Sequence, residues 1–176
     1  MWWPIFAALA LGGCAQIFGI ETTSGALVED ASPPDARLCL GGDARSVDPA
    51  TGACYVFFAT PMTRDAARTA CRGLGANVRL ASIQSASESA VITSLIGTNN
   101  VFVGGSDEQT EGTFVWDDGT PIQLTNWDTG EPNNGGGQFE EDCIEVVGSR
   151  NGLWNDIPCA PPPANLGMYP FVCERD

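Results

Sequence analysis

Aromatic and β-branched residues gather in short runs along this chain. The first clear run, Tyr55-Val56-Phe57-Phe58, has the composition of a strand. A helical spacing follows. Thr63 suits an N-cap, Ala66, Ala67, Ala70 and Cys71 recur at helical intervals, and Gly73 and Gly75 mark the stop. Residues 80–83 predict a second strand. Ser87 opens a second helix whose face would comprise Ala90, Val91, Ser94 and Leu95, with Gly97 at its end. Beyond Val103 no helical period survives. The second half predicts short strands over 101–103, 114–116, 143–147 and 169–173, separated by loops rich in glycine, asparagine and proline. The connection over 117–141 is longer than compact domains ordinarily carry, and such loops are usually functional. The predicted class is α+β: two helices beside antiparallel strands, topped by an extended loop region.

The N-terminal stretch reads differently. An apolar run over residues 2–11 leads into Leu11-Gly12-Gly13-Cys14. It is far shorter than the roughly 20 residues of a membrane span and reads as a targeting segment. A cysteine directly after Leu-x-Gly looks like a bacterial lipobox, in which cleavage after residue 13 leaves a lipid-modified Cys14. Residues 14–37, with Thr22-Thr23-Ser24-Gly25 and Ser32-Pro33-Pro34, read as a flexible tether. The domain is expected over 38–176, outside the cytoplasm, on a lipoprotein at the cell surface or in the periplasm, or else secreted. Membrane association is expected through the lipid anchor alone. Of the seven cysteines, Cys14 is the odd one. Cys39, Cys54, Cys71, Cys143, Cys159 and Cys173 can form three disulfides in an oxidising compartment, with fifteen pairings open. The Gly-, Asp- and Pro-rich stretch between Cys39 and Cys54 predicts a hairpin closed by its own bridge.

Charge changes this picture. The chain carries 22 acids against 8 basic residues, all arginine, for a net charge of −14. That balance excludes nucleic acid, whose binding rests on phosphate neutralisation, and suits anionic headgroups poorly. An acidic surface aids solubility in any secreted domain, but here the acids cluster. Between Asp107 and Asp156 there are twelve, with Arg150 the single base. An enzyme is not expected. The chain has no histidine to act as a base and no nucleophile elbow, and each cysteine of the domain has a potential partner. No carboxylate pair is set as a glycosidase requires.

The acids coincide with amides in three tripeptides: Glu131-Pro132-Asn133, Glu141-Asp142-Cys143 and Trp154-Asn155-Asp156. Oxygen donors of this kind suit a hard cation such as Ca²⁺, which takes six to eight of them, and nothing here resembles the His/Cys pattern of zinc. Glu131, Asn133, Glu141, Asn155 and Asp156 form one candidate set. Asp107, Glu111, Asn134 and Asp142, sharing Glu141, form a second. An X-Pro bond takes the cis form at low cost, and a cis Glu131–Pro132 bond would aim its neighbours at one point. A position left open on the cation would accept two adjacent sugar hydroxyls. Asn amides would donate to those hydroxyls and carboxylates would accept from them, so that every polar group is paired.

Six motifs in order carry a family resemblance: Phe102-Val103-Gly104-Gly105; Glu111-Gly112-x-Phe114-x-Trp116-x-Asp118-Gly119-x-Pro121; Asn126-Trp127-x-x-Gly130-Glu131-Pro132-Asn133-Asn134; Glu141-Asp142-Cys143; Trp154-Asn155-Asp156-x-x-Cys159; and Phe171-Val172-Cys173-Glu174. Together they resemble the C-type lectin-like domain. The resemblance implies a looped α+β fold with bridges Cys71–Cys173, Cys143–Cys159 and, as in the long form, Cys39–Cys54. It implies a sugar-binding calcium site at Glu131, Asn133, Glu141, Asn155 and Asp156, and an auxiliary calcium site at Asp107, Glu111, Asn134, Glu141 and Asp142. The Glu-Pro-Asn order implies a mannose-type ligand with equatorial vicinal hydroxyls (mannose, glucose, N-acetylglucosamine or fucose), as opposed to the galactose-type Gln-Pro-Asp. Glu140 rivals Glu141 for its role; Glu141 is chosen because it directly precedes Asp142-Cys143. Trp116, Trp127 and Trp154 are read as core, Asp117 and Asp118 as turn residues, and Glu145 as part of a solvated strand face. The alternative function is a lectin-like module for a protein or surface partner, with calcium only structural.

Overall fold

The computed structural model describes residues 39–138, 140–159 and 167–176. The expected targeting segment, Cys14 and the expected tether lie outside the described residues. Among the described residues no helix is long and apolar enough to cross a membrane.

Among the described residues there are seven strands and two α-helices: β1 (Ala44–Val47), β2 (Cys54–Met62), α1 (Arg64–Gly73), β3 (Val78–Leu80), α2 (Ala86–Ile96), β4 (Asn100–Ser106), β5 (Cys143–Val147), β6 (Leu153–Ile157) and β7 (Tyr169–Arg175). The strands run in the order β1-β2-β7-β4-β5-β6, with β3 also paired to β7. Pairing is antiparallel except between β4 and β7. The α+β expectation holds. The hairpin holds in part: β1 and the turn lie between the bridged Cys39 and Cys54, but its second strand, β2, starts at Cys54 and runs beyond the bridge. The other bridges are Cys71–Cys173, joining α1 to β7, and Cys143–Cys159. Cys71 and Cys173 lie 102 residues apart, and closing a loop of that size restrains the unfolded chain by about 4–5 kcal/mol on the chain-entropy estimate.

Successive residues of the central strands enter two different hydrophobic clusters. Tyr55, Phe57, Val101, Val103, Ile144, Val146 and Val172 join α2 residues Ile92 and Ile96 in one cluster. Val56, Phe102, Cys143, Phe171 and Cys173 join α1 residues Ala67 and Cys71 in the other. Because the sheet is covered on both faces, these strands read as continuous apolar runs rather than as alternating ones. Gly104 marks a close approach: a Cβ there would stand 2.9 Å from the Leu80 carbonyl oxygen.

Several local expectations are corrected. The second helix opens at Ser85, two residues before Ser87. Ser85 and Glu88 form a reciprocal capping box, a Ser-x-x-Glu signal already present in the sequence. Ser87 instead donates to the Asp48 carboxylate at 2.6 Å. The fully buried face of α2 is Glu88, Ile92 and Ile96; of the expected face, Val91 and Leu95 are half-buried against the same core while Ala90 and Ser94 are exposed, because the larger side chains release more apolar area from water. Residues 114–116 form no strand. Val115 makes single bridges to Ser106 and Pro121, and the chain turns at Trp116–Thr120. The strand read over 80–83 ends at Leu80. β6 was not foreseen, since Asn155 and Asp156 interrupt its apolar character.

Asp117 is more than a turn residue. Its side chain is 4% exposed and accepts from Arg64 Nη2 at 2.8 Å and from Arg68 Nε and Nη2 at 3.1 and 3.0 Å. Arg64, itself buried, also pairs with Glu108 at 3.0 Å. Two arginines of α1 thereby fasten both ends of the segment 108–117. Removing one partner of such a buried pair costs about 3–5 kcal/mol. Asp118 does serve its turn, accepting from Thr120 N at 2.8 Å.

Candidate functional site

The long connection between β4 and β5 returns along β6. Trp154 N donates to Asn126 O and Asp128 N to Trp154 O, each at 2.8 Å, so the 126–128 segment lies parallel to β6 through Trp127 and Trp154. The aromatic rings explain why it stays there. Trp154 packs edge-on to Trp116 and Trp127 at 5.8 and 5.7 Å, and Phe114 packs on Trp127 at 4.9 Å. Trp116 and Trp154 are buried and Trp127 half-buried, in line with the core reading. Such pairs add about 0.5–1.5 kcal/mol each beyond their area.

This packing delivers residues 131–135 to the end of β6. The Glu131–Pro132 bond is cis. Asp156, buried at 1% exposure, accepts from Asn133 N at 2.9 and 3.1 Å and from Asn134 N at 2.7 Å. Asn133 Nδ2 donates to Glu131 Oε2, and Asn133 Oδ1 accepts from Gly136 N at 3.0 Å. Glu141 Oε2 accepts from Gly135 N at 2.6 Å, while Glu141 N donates to Asn134 Oδ1 at 2.7 Å. A 3-10 turn over Asn134–Gly137 takes up the first four residues after Asn133. Glu131, Asn133, Glu141 and Asp156 are thus brought together. Asn155 stands next to them on β6, and its amide donates to Glu145 at 3.4 Å.

The electrostatics are those of crowded carboxyls. Burial, a shared hydrogen bond with Asp156 and the charges of Asp156 and Glu141 all push the Glu131 carboxyl up. Burial raises Glu141 as well, helped by Asp156 and opposed by the Gly135 N–H. Arg64, Arg68, Arg79 and Arg150 pair with Asp65, Glu108, Asp117, Asp118, Asp128, Glu174 and Asp176, so none of these four arginines neutralises the group. Backbone N–H groups and Asn amides stand in for counter-charge.

A second cluster adjoins the first. Asp107, Glu111 and Asp142 each present a carboxylate oxygen, all within 4.8 Å of one another. Asp107 is buried; its Oδ2 accepts from Gly112 N at 2.8 Å and its Oδ1 has no hydrogen-bond partner. Asn134 Nδ2 donates to Glu111 at 2.9 Å and to Glu140 at 3.3 Å, so its amide ties the two clusters together. Burial first, then neighbouring carboxylates, raises Asp142 and Glu111. Glu140 acts on this second cluster through its charge, whereas Glu141 sits against Asp156. A depression of about 240 Å³ joins the clusters, lined by Asp107, Glu111, Pro132, Asn133, Asn134 and Asp156 among others. The oxygens of both sets, including the unpartnered buried one on Asp107, fit a hard divalent cation. Glu108 also lies near the sulfurs of Cys143 and Cys159, but these are joined as a disulfide and offer no thiolate.

One residue beside the cluster differs from its expectation. Glu145 is not on a solvated face: it is 4% exposed, and burial raises its carboxyl against the pull of Asn155, Asn100 and Arg150. The available signal was parity. Glu145 stands two residues from both Cys143 and Val147 on one strand, so it must share their buried face.

The profile of the family described as Lectin C-type domain matches residues 60–175. The low affinity immunoglobulin epsilon Fc receptor of Mus musculus is 42% identical over 122 residues, covering 69% of this chain and 34% of the receptor. The chain therefore spans about a third of that relative's length. Among solved structures, the cow C-type carbohydrate-recognition domain of CD23, crystallised in the presence of GlcNAc2Man3 oligosaccharide, is similar at 35% identity. Its TM-score is 0.60, with coverage of 70% of this chain and 87% of that one. A calcium-independent type II antifreeze protein is similar at 26% identity and a TM-score of 0.62, covering 77% and 94%. The matched family is one of binding modules rather than enzymes. With its strand order, three bridges and ordered motifs all in agreement, this chain belongs to the C-type lectin domain family.

Proposed function

We propose that the chain binds carbohydrate of the mannose class through a calcium ion held by Glu131, Asn133, Glu141, Asn155 and Asp156. One observation carries this reading: Glu131, Glu141 and Asp156 converge with Asn133 bonded into the group, and four arginines of the domain are engaged elsewhere. Repelling carboxyls of this kind need a counter-charge, and a hard cation suits the donor set. Asp107, Glu111, Asn134, Glu141 and Asp142 would hold a second ion, supported by the unpartnered Asp107 oxygen. Calcium, when bound, supplies coordination positions for two adjacent sugar hydroxyls. The chain's own side chains sort those hydroxyls. Asn133 and Asn155 amides donate to them, Glu131 and Glu141 accept from them, and the order of Glu131 before Asn133 selects the handedness of the diol. The likeness to a carbohydrate-recognition domain crystallised with a mannose-containing oligosaccharide supports the ligand class.

A second reading is a module for a protein or surface partner, with calcium confined to shaping the loop. Its support is the likeness to an immunoglobulin receptor and to a calcium-independent antifreeze protein. Immobilised mannose separates the two. The protein is expected to be retained in millimolar calcium and released by chelator or free mannose, and calcium is expected to raise its melting temperature. Retention indifferent to chelator would favour the second reading.

We further propose that residues 1–13 are a signal segment, that Cys14 carries the lipid of a bacterial lipoprotein, and that residues 14–37 tether a lectin domain spanning 38–176 outside the cytoplasm.

A further inference from the structure

β5 and β6 pair antiparallel with Glu145 directly opposite Asn155, and Glu145 opposite Phe102 on β4. Its neighbours on the strand, Ile144 and Val146, are core residues, and Glu145 is equally buried. Oε2 accepts from Asn155 Nδ2 at 3.4 Å, while Oε1 has no hydrogen-bond partner. Asn100 faces it from β4 without closing a bond of proper geometry. A buried carboxylate with one idle oxygen is costly, and a β-branched apolar residue would suit this central strand better. A position that breaks the local rule for strands is expected where function requires it.

We infer that Glu145 is a positioning residue of the ligand site: it holds the nitrogen end of the Asn155 amide inward and so leaves Asn155 Oδ1 and one N–H at the ligand end. The assignment follows from chemistry as well as distance. A carboxylate only accepts, so the amide end that meets it must be the NH₂ group. Asn155 directly precedes Asp156 on β6 and its amide has two unlike ends, so its orientation decides whether an oxygen or a nitrogen meets a cation. Asn155 without this hold could turn its NH₂ group outward, which a cation rejects. This inference rests on the proposed calcium reading and extends it by one shell of contacts.

The test uses the intact domain with its three disulfides. In chelator, the side-chain N–H₂ signals of Asn155 are followed by ¹⁵N NMR in wild type, Glu145→Gln and Glu145→Met. One proton is expected to be shifted downfield and protected in wild type, retained in Glu145→Gln, which keeps an acceptor, and released in Glu145→Met. Calcium titration should then show binding weakened about tenfold or more in Glu145→Met, with most of it recovered in Glu145→Gln. Aspartate has oxygen at both ends, so in an Asn155→Asp background the same Glu145→Met change should cost nothing or improve binding by removing a facing negative charge. Unchanged Asn155 signals in Glu145→Met overturn the inference. So does an equal loss of calcium affinity in both backgrounds, which is the mark of general structural damage. Wild type with no calcium response defeats the proposed function alone, and the amide signals still decide whether Glu145 sets the orientation.

Discussion

Asp156 spends three hydrogen bonds on the backbone of Asn133 and Asn134, and this is what places the Glu131-Pro132-Asn133 tripeptide. Glu131 and Asn133 are left at the surface of the group, one an acceptor and the other a donor with an amide nitrogen. If their order sets the diol preference, Glu131→Gln combined with Asn133→Asp exchanges the two. Preference on immobilised sugars should then move from mannose towards galactose by about tenfold or more, since each mispaired buried polar group costs roughly 1–3 kcal/mol. An unchanged ratio of retention would show that the tripeptide does not select. At this scale the acids and amides of the three tripeptides were legible from residue type and spacing. Asp117 was not, and of Glu145 only the burial was, through its strand parity. Asp117 owes its burial to arginines about fifty residues earlier in the chain, and Glu145 owes its role to a partner on the next strand.

The pairing of β3 and β7 carries a titratable clamp away from the ligand site. Glu174 is buried, and Ser82 N and Oγ donate to its Oε2 at 2.8 and 2.7 Å. Arg79 on β3 reaches it at 3.5 Å and also meets Asp118 and Asp176, while Tyr55 lies opposite on β2. Burial outweighs the Ser82 bonds and the Arg79 charge and pushes the carboxyl up to about 7 from 4.5. Between these two values the folded chain holds a proton that the unfolded chain has released, so stability falls as pH rises through that window, by on the order of 3 kcal/mol. Glu174→Gln keeps the Ser82 bonds and cannot ionise. In chelator its melting temperature should change less than that of wild type between pH 5 and pH 8, with the variant the more stable at pH 8. Parallel melting curves for the two proteins would disprove the clamp. The elements themselves were largely readable, because apolar runs and caps act within a few residues. The face of α2 is turned from the expected one: Ile92 and Ile96 are fully buried, Val91 and Leu95 pack at the margin of the same cluster, and the small Ala90 and Ser94 are exposed.

Across the molecule, a sheet buried on both faces and three bridges support a loop region whose own regular structure is slight. A diol offers few contacts, so one site would bind weakly, and copies concentrated on a membrane would gain by avidity. That advantage depends on the anchor. Replacing Cys14 by serine should shift the protein from the membrane fraction of expressing cells to the soluble fraction; continued sedimentation with membranes would remove the lipid from the account. Residue order alone established the α+β class, the oxygen-rich loops, the shortage of basic residues and six ordered motifs, because propensity, charge and spacing are properties of the chain before it folds. Tertiary structure decided which carboxyls crowd together, which are met by arginine, and that β5 is buried on both faces. Those outcomes depend on partners brought close by folding, such as Arg64 for Asp117, Asn155 for Glu145 and Asn133 for Asp156.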